Sequence, residues 1–203
     1  MKSLLERPGV YSLFRRLVGR DSARAVYARE HLRLAAGQRV LDLGCGPGDI
    51  LQFLPAVQYI GYDISPAYVE RARRRFGQRA TFHEGAVSEA LSPGRDFDVV
   101  IAHGVLHHLD DAAARTLFRV ARRALRPGGR LVTFDGCLAD GQSALARLFL
   151  RLDRGRHVRT REAYEALARG EFAEVKSFLR HDLIRIPYTH LIMECGTPPE
   201  LRS

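Results

Sequence analysis

The sequence has little of what membrane-spanning, secreted or disulfide-stabilised proteins require. No stretch of its 203 residues reaches the roughly 18 uninterrupted apolar residues of a transmembrane helix. Near the N-terminus, Glu6 and the break at Pro8-Gly9 precede any apolar core of a signal peptide. The three cysteines are odd in number and widely spaced, which fits neither a disulfide framework nor a CxxC metal site. We therefore expect a cytoplasmic protein with reduced thiols and no membrane span.

Lysine is also scarce. It occurs only at Lys2 and Lys176, although the formal net charge is +9. The positive charge is arginine spread along the chain rather than a basic tail. Such a balance can indicate nucleic acid, an anionic membrane surface or anionic small ligands, and a coding bias towards arginine gives the same composition. The chain has no basic stretch interleaved with aromatic residues. We expect no nucleic-acid partner.

Short apolar runs alternate with segments of helical periodicity through the middle of the chain. Five runs resemble buried parallel strands, and they cover residues 39–44, 57–63, 81–85, 97–103 and 129–135. Helices are predicted between them at 49–55, 65–76 and 110–125, the second with Ser65 as N-cap and Pro66 in the first turn. This alternation predicts βαβ units and a parallel sheet.

The two ends and one insertion depart from this alternation. We predict one domain with an N-terminal helical lid at 1–37, a core at 38–135, a helical insertion over the acceptor at 136–170 and a C-terminal strand hairpin at 171–203. The lid carries amphipathic helices at 9–18 and 22–34, and the insertion carries an apolar helix at 144–152 and a second helix opening at Thr160. The length suits a single α/β domain.

The segment Val40–Asp49, VLDLGCGPGD, is a strand running into a glycine-rich turn and a helix. Glycines let the backbone approach a ligand closely, and a helix N-terminus adds N–H donors. The spacing is G-x-G-x-G, and Asp49 stands where a dinucleotide fingerprint has its third glycine, which argues against NAD and FAD. About 20 residues after the first strand, Asp63 is placed to accept ribose hydroxyls, and a turn or N-cap role is the alternative.

These segments resemble the class I S-adenosylmethionine-dependent methyltransferases, in particular the small bacterial type 11 group. The resemblance rests on VLDLGCGPGD, YIGYDIS, FDVVIAHGVLHHLDD and LRPGGRLV, and it covers residues 38–135 with the C-terminal hairpin. It implies an α/β Rossmann-like three-layer sandwich, with a seven-stranded, mostly parallel sheet whose last strand is antiparallel. It also implies methyl transfer from S-adenosylmethionine, with S-adenosylhomocysteine as product.

The resemblance assigns cofactor contacts residue by residue. It places the methionine part on Asp42, Gly44, Cys45 and Gly46, the ribose and adenine on Asp63 and Ile64, the ring also on Ala86 and Val87, the sulfonium beside His103, and Tyr11 over the cofactor. One position departs from the family. The third motif often has Gly-Asp, whereas here Ala86 follows Gly85, so a side-chain hydrogen bond to the adenine amino group is missing at this position.

Methyl transfer from a sulfonium needs alignment and exclusion of water more than a strong base. A carboxylate acceptor gives up no proton, whereas a hydroxyl or ammonium acceptor benefits from a histidine. The histidine candidates are His103, His107, His108, His157 and His190. We predict His103 as the catalytic residue. The alternative of a metal site at His107-His108 with Asp110 and Asp111 is disfavoured, because adjacent residues do not share a helical face, and we predict no metal.

The acceptor pocket is predicted from the insertion and the hairpin. Arg156, His157 and Arg159, in the basic cluster that starts at Arg154, could bind a carboxylate or phosphate, and Tyr188 is a further candidate. A solvated basic turn and a buried strand entry are the alternatives.

The leading hypothesis is methylation of an oxygen or nitrogen of a small metabolite, with an anionic group as the candidate ligand of the basic cluster, by a monomer or homodimer. Methylation of RNA or protein is the second, and a non-catalytic cofactor-binding scaffold, suggested by Ala86, is the third.

Overall fold

The computed structural model describes residues 19–87, 96–152 and 155–197, and these form an α/β sheet structure. The strands are β1 (Arg39–Leu43), β2 (Gln58–Asp63), β3 (Ala80–Glu84), β4 (Phe97–His103), β5 (Leu125–Leu138), β6 (Arg159–Thr160), β7 (Glu174–Arg180) and β8 (His190–Gly196). The helices are α1 (Arg20–Tyr27), α2 (Pro66–Phe76), α3 (Asp111–Ala124), α4 (Ala144–Leu152) and α5 (Arg161–Arg169). Shorter turns are a π-helix at Ala28–Leu32 and 3-10 helices at Asp49–Phe53 and Leu106–His108.

The sheet confirms the predicted fold class. Its strand order is β3-β2-β1-β4-β5-β8-β7, and the two-residue β6 pairs with the end of β5. Strands β1 to β5 run parallel, and β8 runs antiparallel to both β5 and β7. The seven predicted strands and the antiparallel last strand are therefore present, and β6 is an addition too short to have been predicted from periodicity.

Two apolar clusters, one on each face of the sheet, give the three layers. One joins β4 and β5 to α3 and α5, and its fully buried side chains include Phe118 and Tyr164. The other joins β1, β2 and β3 to α1 and α2, and it includes Tyr27, Val69 and Phe82. Both faces of the parallel strands are thus covered, which is why these strands are almost continuously apolar.

The helices α2 and α3 begin at their predicted capping residues, whereas two other predicted helices differ in type or length. Ser65 caps α2 through Tyr68 N, and Asp110 caps α3 through Ala113 N at 2.8 Å. The predicted helix at 49–55 is instead a single 3-10 turn, because Leu54 is already extended ahead of Pro55. The predicted helix at 22–34 changes to a π-helix after Tyr27. No helix within the described ranges is long and apolar enough to cross a bilayer.

Candidate functional site

The glycine-rich turn lies at the carboxyl end of β1, where ligands bind in parallel α/β sheets. Gly44, Gly46 and Gly48 have φ values of 80°, 54° and 73°, which side-chain-bearing residues rarely adopt. A Cβ on Gly44 would lie 2.5 Å from Val105 Cγ2, so the turn is packed tightly against the loop after β4. A Cβ on Gly46 would meet nothing within 4 Å, so the turn is open on that side.

Asp63 at the end of β2 joins the two cofactor motifs. Its Oδ2 accepts a hydrogen bond from Gly46 N at 2.7 Å, and its Oδ1 accepts one from Ser65 N at 2.8 Å. Next to it, Ile64 is 77% exposed, which is unusual for a large apolar side chain. Ala86 and Val87 follow β3 on the neighbouring strand end and are half-buried. The geometry brings Gly46, Asp63 and Ile64 together at one edge of the sheet.

Asp42 lies beneath the glycine turn and is almost fully buried. Tyr59 of β2 donates its hydroxyl hydrogen to Asp42 Oδ2 at 2.5 Å. Asp42 Oδ1 accepts no hydrogen bond from any described residue. Burial is the main reason that the pKa of Asp42 rises to about 7, and the negative charge of Asp63 adds to it, while the Tyr59 hydrogen bond opposes it. Tyr59 was not predicted as part of the site, although it shares a strand with Asp63 at a spacing that points both side chains to one face.

Cys45 enters the site through its backbone. Its N–H donates to Tyr62 O at 2.9 Å, and its thiol is buried. Burial raises the pKa of the Cys45 thiol well above its ordinary range, so it is not a reactive thiolate. The same thiol is the reason for glycine at position 61, where a Cβ would lie 2.8 Å from Cys45 Sγ.

His103 ends β4 and is held between aromatic rings. Its ring stacks on Phe134 with centroids 4.5 Å apart and planes at 8°, and it meets Tyr27 edge-on at 5.3 Å. His190 continues this cluster, because its ring lies 4.6 Å from Phe134 and 4.6 Å from Tyr188. The predicted catalytic residue is therefore at the expected strand end, where its catalytic role stays a prediction.

His107 and Asp135 form a buried pair that the sequence did not predict. Asp135 ends the apolar part of β5, and its Oδ1 accepts from His107 Nδ1 at 2.8 Å and from His107 N at 3.2 Å. Burial raises the pKa of Asp135, and the His107 hydrogen bond opposes the rise. A Cβ on Gly104 would lie 3.7 Å from His107 Cε1, so the pair sits beside the turn that follows β4. The sequence does contain a signal for this site, because Asp135 is an acidic residue at the end of the apolar run 129–135, which places it at the same edge of the sheet as Asp63.

The segment 155–160 of the insertion covers His107. His157 N donates to His107 O at 2.9 Å, and a Cβ on Gly155 would collide with the His107 ring. Arg159 binds Asp111 Oδ1 through Nε at 3.0 Å and Nη2 at 2.8 Å, and it also donates to the carbonyl oxygens of Leu106 and Leu109. The Arg159 guanidinium thus fastens the segment to the loop before α3.

The other predicted acceptor residues are spread apart. The side chain of Arg156 is exposed, whereas Tyr188 is buried against Gly136, where a Cβ would clash with its hydroxyl. Tyr11 and Arg154 lie outside the described residues. In the part of the chain that the structure describes, no three His, Cys, Asp or Glu side chains are grouped as a metal site requires.

Comparisons with known proteins agree with this architecture. A family model described as a methyltransferase domain matches residues 40–129. 27-O-demethylrifamycin SV methyltransferase of Amycolatopsis mediterranei is 38% identical over 122 residues, which are 56% of this chain and 44% of the relative. Trans-aconitate 2-methyltransferase of Methylobacterium nodulans is 41% identical over 102 residues, 48% of this chain and 38% of the relative. The chain spans less than half the length of both relatives.

A solved structure extends the likeness to nearly the whole chain. Haemonchus contortus phosphoethanolamine N-methyltransferase 2, in complex with phosphomonomethylethanolamine and S-adenosylhomocysteine, superposes with a TM-score of 0.74. The alignment covers 97% of this chain and 58% of that one at 16% sequence identity. At this identity the likeness concerns the fold.

Proposed function

We propose that the chain is a class I S-adenosylmethionine-dependent methyltransferase, which the methyltransferase-domain match over residues 40–129 and the 38% identity to the rifamycin methyltransferase support, and that it transfers a methyl group from S-adenosylmethionine to an oxygen or nitrogen of a small molecule. The observation that carries the acceptor side of this proposal is the pair His107–Asp135, 2.8 Å apart at the carboxyl ends of β4 and β5. The proposal does not require a metal ion.

The residues around the glycine turn fit the cofactor by three independent features. The open side of Gly46 leaves room for the methionine part against backbone. The buried Asp42 Oδ1 lacks a hydrogen-bond donor among the described residues, which suits an ammonium group. The exposed Ile64 beside Asp63 offers an apolar surface for adenine next to an acid for ribose hydroxyls.

When bound, S-adenosylmethionine supplies an electrophilic methyl group on a sulfonium. The chain then has to align the acceptor, exclude water and take up any proton that the acceptor loses. Asp135 accepts from Nδ1 of His107, and this fixes the imidazole tautomer in which Nε2 is the proton acceptor. His107 is thus a general base for a hydroxyl or ammonium acceptor. Asp135 acts through His107 and is a positioning residue.

The insertion supports the same proposal. Segment 155–160 lies on His107 and is fastened by Arg159, so it shields this side of the site from water. Within the described part of the basic cluster, Arg156 and His157 are exposed, and their side chains can meet an anionic group on the acceptor. The two relatives are named for small-molecule substrates, which favours a small molecule over RNA or protein.

The test is transfer of labelled methyl from S-adenosylmethionine to a panel of hydroxyl, amine and carboxylate compounds, with tRNA and a protein lysate as further arms. We expect labelled small-molecule products, and His107→Asn should strongly lower transfer to a hydroxyl or an amine. Label in RNA or protein alone would replace the proposed acceptor class. Cofactor binding without transfer to any arm would favour a non-catalytic scaffold.

A further inference from the structure

A buried carboxyl group that has no cationic partner among the described residues lies under the glycine turn. Asp42 is 1% exposed, and the described groups that shift its pKa are Tyr59 and Asp63, neither of which is a cation. A buried carboxylate normally requires a counter-charge or several hydrogen bonds. Asp42 has one hydrogen bond, from the Tyr59 hydroxyl, and its Oδ1 receives none from the described residues.

The sheet register explains how Tyr59 reaches Asp42. Val40 pairs with Tyr59 and Asp42 pairs with Gly61 in the parallel ladder of β1 and β2, so these four residues face the same side of the sheet. The Tyr59 ring extends along the strand, and its hydroxyl meets Asp42 Oδ2. The ring also packs on Phe82 at 5.9 Å, which restricts its orientation.

The other titratable groups around Asp42 stay neutral or carry negative charge. From the glycine turn, the thiol of Cys45 faces it, and from α1 the hydroxyl of Tyr27 does so at longer range. Burial, with the charge of Asp42 added, raises the pKa of both groups well above the physiological range. Asp63 of β2 contributes a negative charge. A bound cation is therefore the change that would most favour the ionised form of Asp42.

We infer that Tyr59 is a positioning residue for the cofactor, holding Asp42 as the carboxylate that faces the ammonium group of the methionine part, so that cofactor binding and ionisation of Asp42 are coupled. This inference rests on the proposed function. It concerns a tyrosine outside the glycine turn, in the first half of β2.

The coupling has a definite direction. The pKa of Asp42 is raised to about 7, so the carboxyl is largely protonated at pH 6 and largely ionised at pH 8. The ionised form attracts an ammonium group and the protonated form does not. Cofactor affinity therefore rises with pH through this interval. Without the Tyr59 hydrogen bond, which lowers the pKa of Asp42, the rise moves to higher pH.

The experiment is calorimetric titration of the full chain with S-adenosylhomocysteine, which carries the ammonium group, at pH values from 6.0 to 8.5. For the wild type we expect affinity to fall about tenfold from pH 8 to pH 6. Tyr59→Phe should move the midpoint upward by about one pH unit and weaken binding about fivefold at pH 7. The matched control is Tyr164→Phe, which removes another buried tyrosine hydroxyl, one that donates to Gly136 O at 3.1 Å. Its midpoint should stay at the wild-type value.

Two further measurements keep the inference open to refutation if Tyr59→Phe does not fold. Asp42→Asn should bind with weak affinity that no longer changes with pH. Wild-type titrations at pH 6.5 in buffers of different ionisation enthalpy should show release of a proton on binding. Two results would overturn the inference and leave the proposed function standing, provided that the wild type binds. One is a pH midpoint of affinity that is the same in Tyr59→Phe as in the wild type. The other is binding without release of a proton. Absence of binding at every pH would overturn the proposed function itself.

Discussion

The cofactor side and the acceptor side of the candidate site are built in different ways. On the cofactor side, Gly44, Gly46 and Asp63 lie within 20 residues, the two glycines have positive φ angles, and the Gly46 N–H donates to the Asp63 carboxylate. On the acceptor side, His107, Asp135 and Gly155 come from three separated segments and are joined by side-chain contacts. A local motif can specify the first arrangement, whereas only the tertiary fold assembles the second.

Two buried aspartates, Asp42 on the cofactor side and Asp135 on the acceptor side, differ in their partners, and the partner decides what each can do. Asp42 is paired with the neutral hydroxyl of Tyr59, so the charge that would complete it comes from a ligand. Asp135 is paired with His107, which can take up a proton and supply the positive charge itself. The first arrangement suits binding of a cation, and the second suits proton transfer.

The largest expected effect is a loss of methyl transfer that leaves cofactor affinity intact. His107→Asn keeps a side-chain N–H for Asp135 and removes the ring nitrogen that accepts a proton. We expect methyl transfer to a hydroxyl or ammonium acceptor to fall by about 10³-fold, because general bases contribute of that order. Affinity for S-adenosylhomocysteine, measured by calorimetry, should stay within about twofold of wild type.

Asp135→Asn serves as the companion variant, since it acts on the same transfer step through the tautomer of His107. Full activity of both variants on the identified acceptor would mean that the acceptor loses no proton at His107, as for a carboxylate. Loss of cofactor affinity in either variant would show that the two sides are not separable.

The next effect concerns the free energy of unfolding and tests Asp42, the buried acid under the glycine turn. Folding raises the pKa of Asp42 from about 4 to about 7, so the folded chain holds the extra proton in this interval. The free energy of unfolding therefore falls as pH rises from 4 to 7 and stays low above pH 7. Asp42→Asn does not titrate, and we expect it to be more stable than wild type by roughly 4 kcal/mol at pH 8 and by little at pH 4. Chemical denaturation at both pH values measures this, and an equal difference at the two would contradict it.

A smaller effect tests whether the glycine turn acts through its backbone. Gly44→Ala puts a Cβ at φ 80° and 2.5 Å from Val105, so the turn has to move. We expect affinity for S-adenosylhomocysteine to fall about thirtyfold, or roughly 2 kcal/mol. The control is Gly37→Ala, which has φ 83° but no atom within 4 Å of the new Cβ. It should lower stability and leave the affinity unchanged. Equal affinities in both variants would mean that the turn tolerates displacement.

The contrast also explains how far the sequence could predict the molecule. The five parallel strands, the glycine turn after β1 and the acid that ends β2 follow from apolar runs and short-range glycine spacing, which local geometry constrains strongly, whereas the antiparallel last strand followed from the family resemblance. The helix predicted at 49–55 is instead a single 3-10 turn at 49–53, since only four residues separate this turn from β2. Asp135 and Tyr59 were missed because each acts through a partner on another element, His107 in the 3-10 helix and Asp42 on β1. His107 was among the histidine candidates, but only the pairing with Asp135 distinguishes it.

The smallest expected effect tests whether the insertion positions the acceptor side alone. A Cβ on Gly155 would press on the His107 ring, so Gly155→Ala should turn the ring away from Asp135 or lift segment 155–160. We expect methyl transfer to fall about tenfold, about 1.4 kcal/mol of transition-state free energy, with unchanged affinity for S-adenosylhomocysteine. Gly170→Ala is the matched control, because its Cβ would make only an ordinary contact at 3.4 Å from Leu167 O. If both alanine variants transfer methyl groups at the wild-type rate, segment 155–160 does not hold His107, and the acceptor side is organised by Asp135 alone.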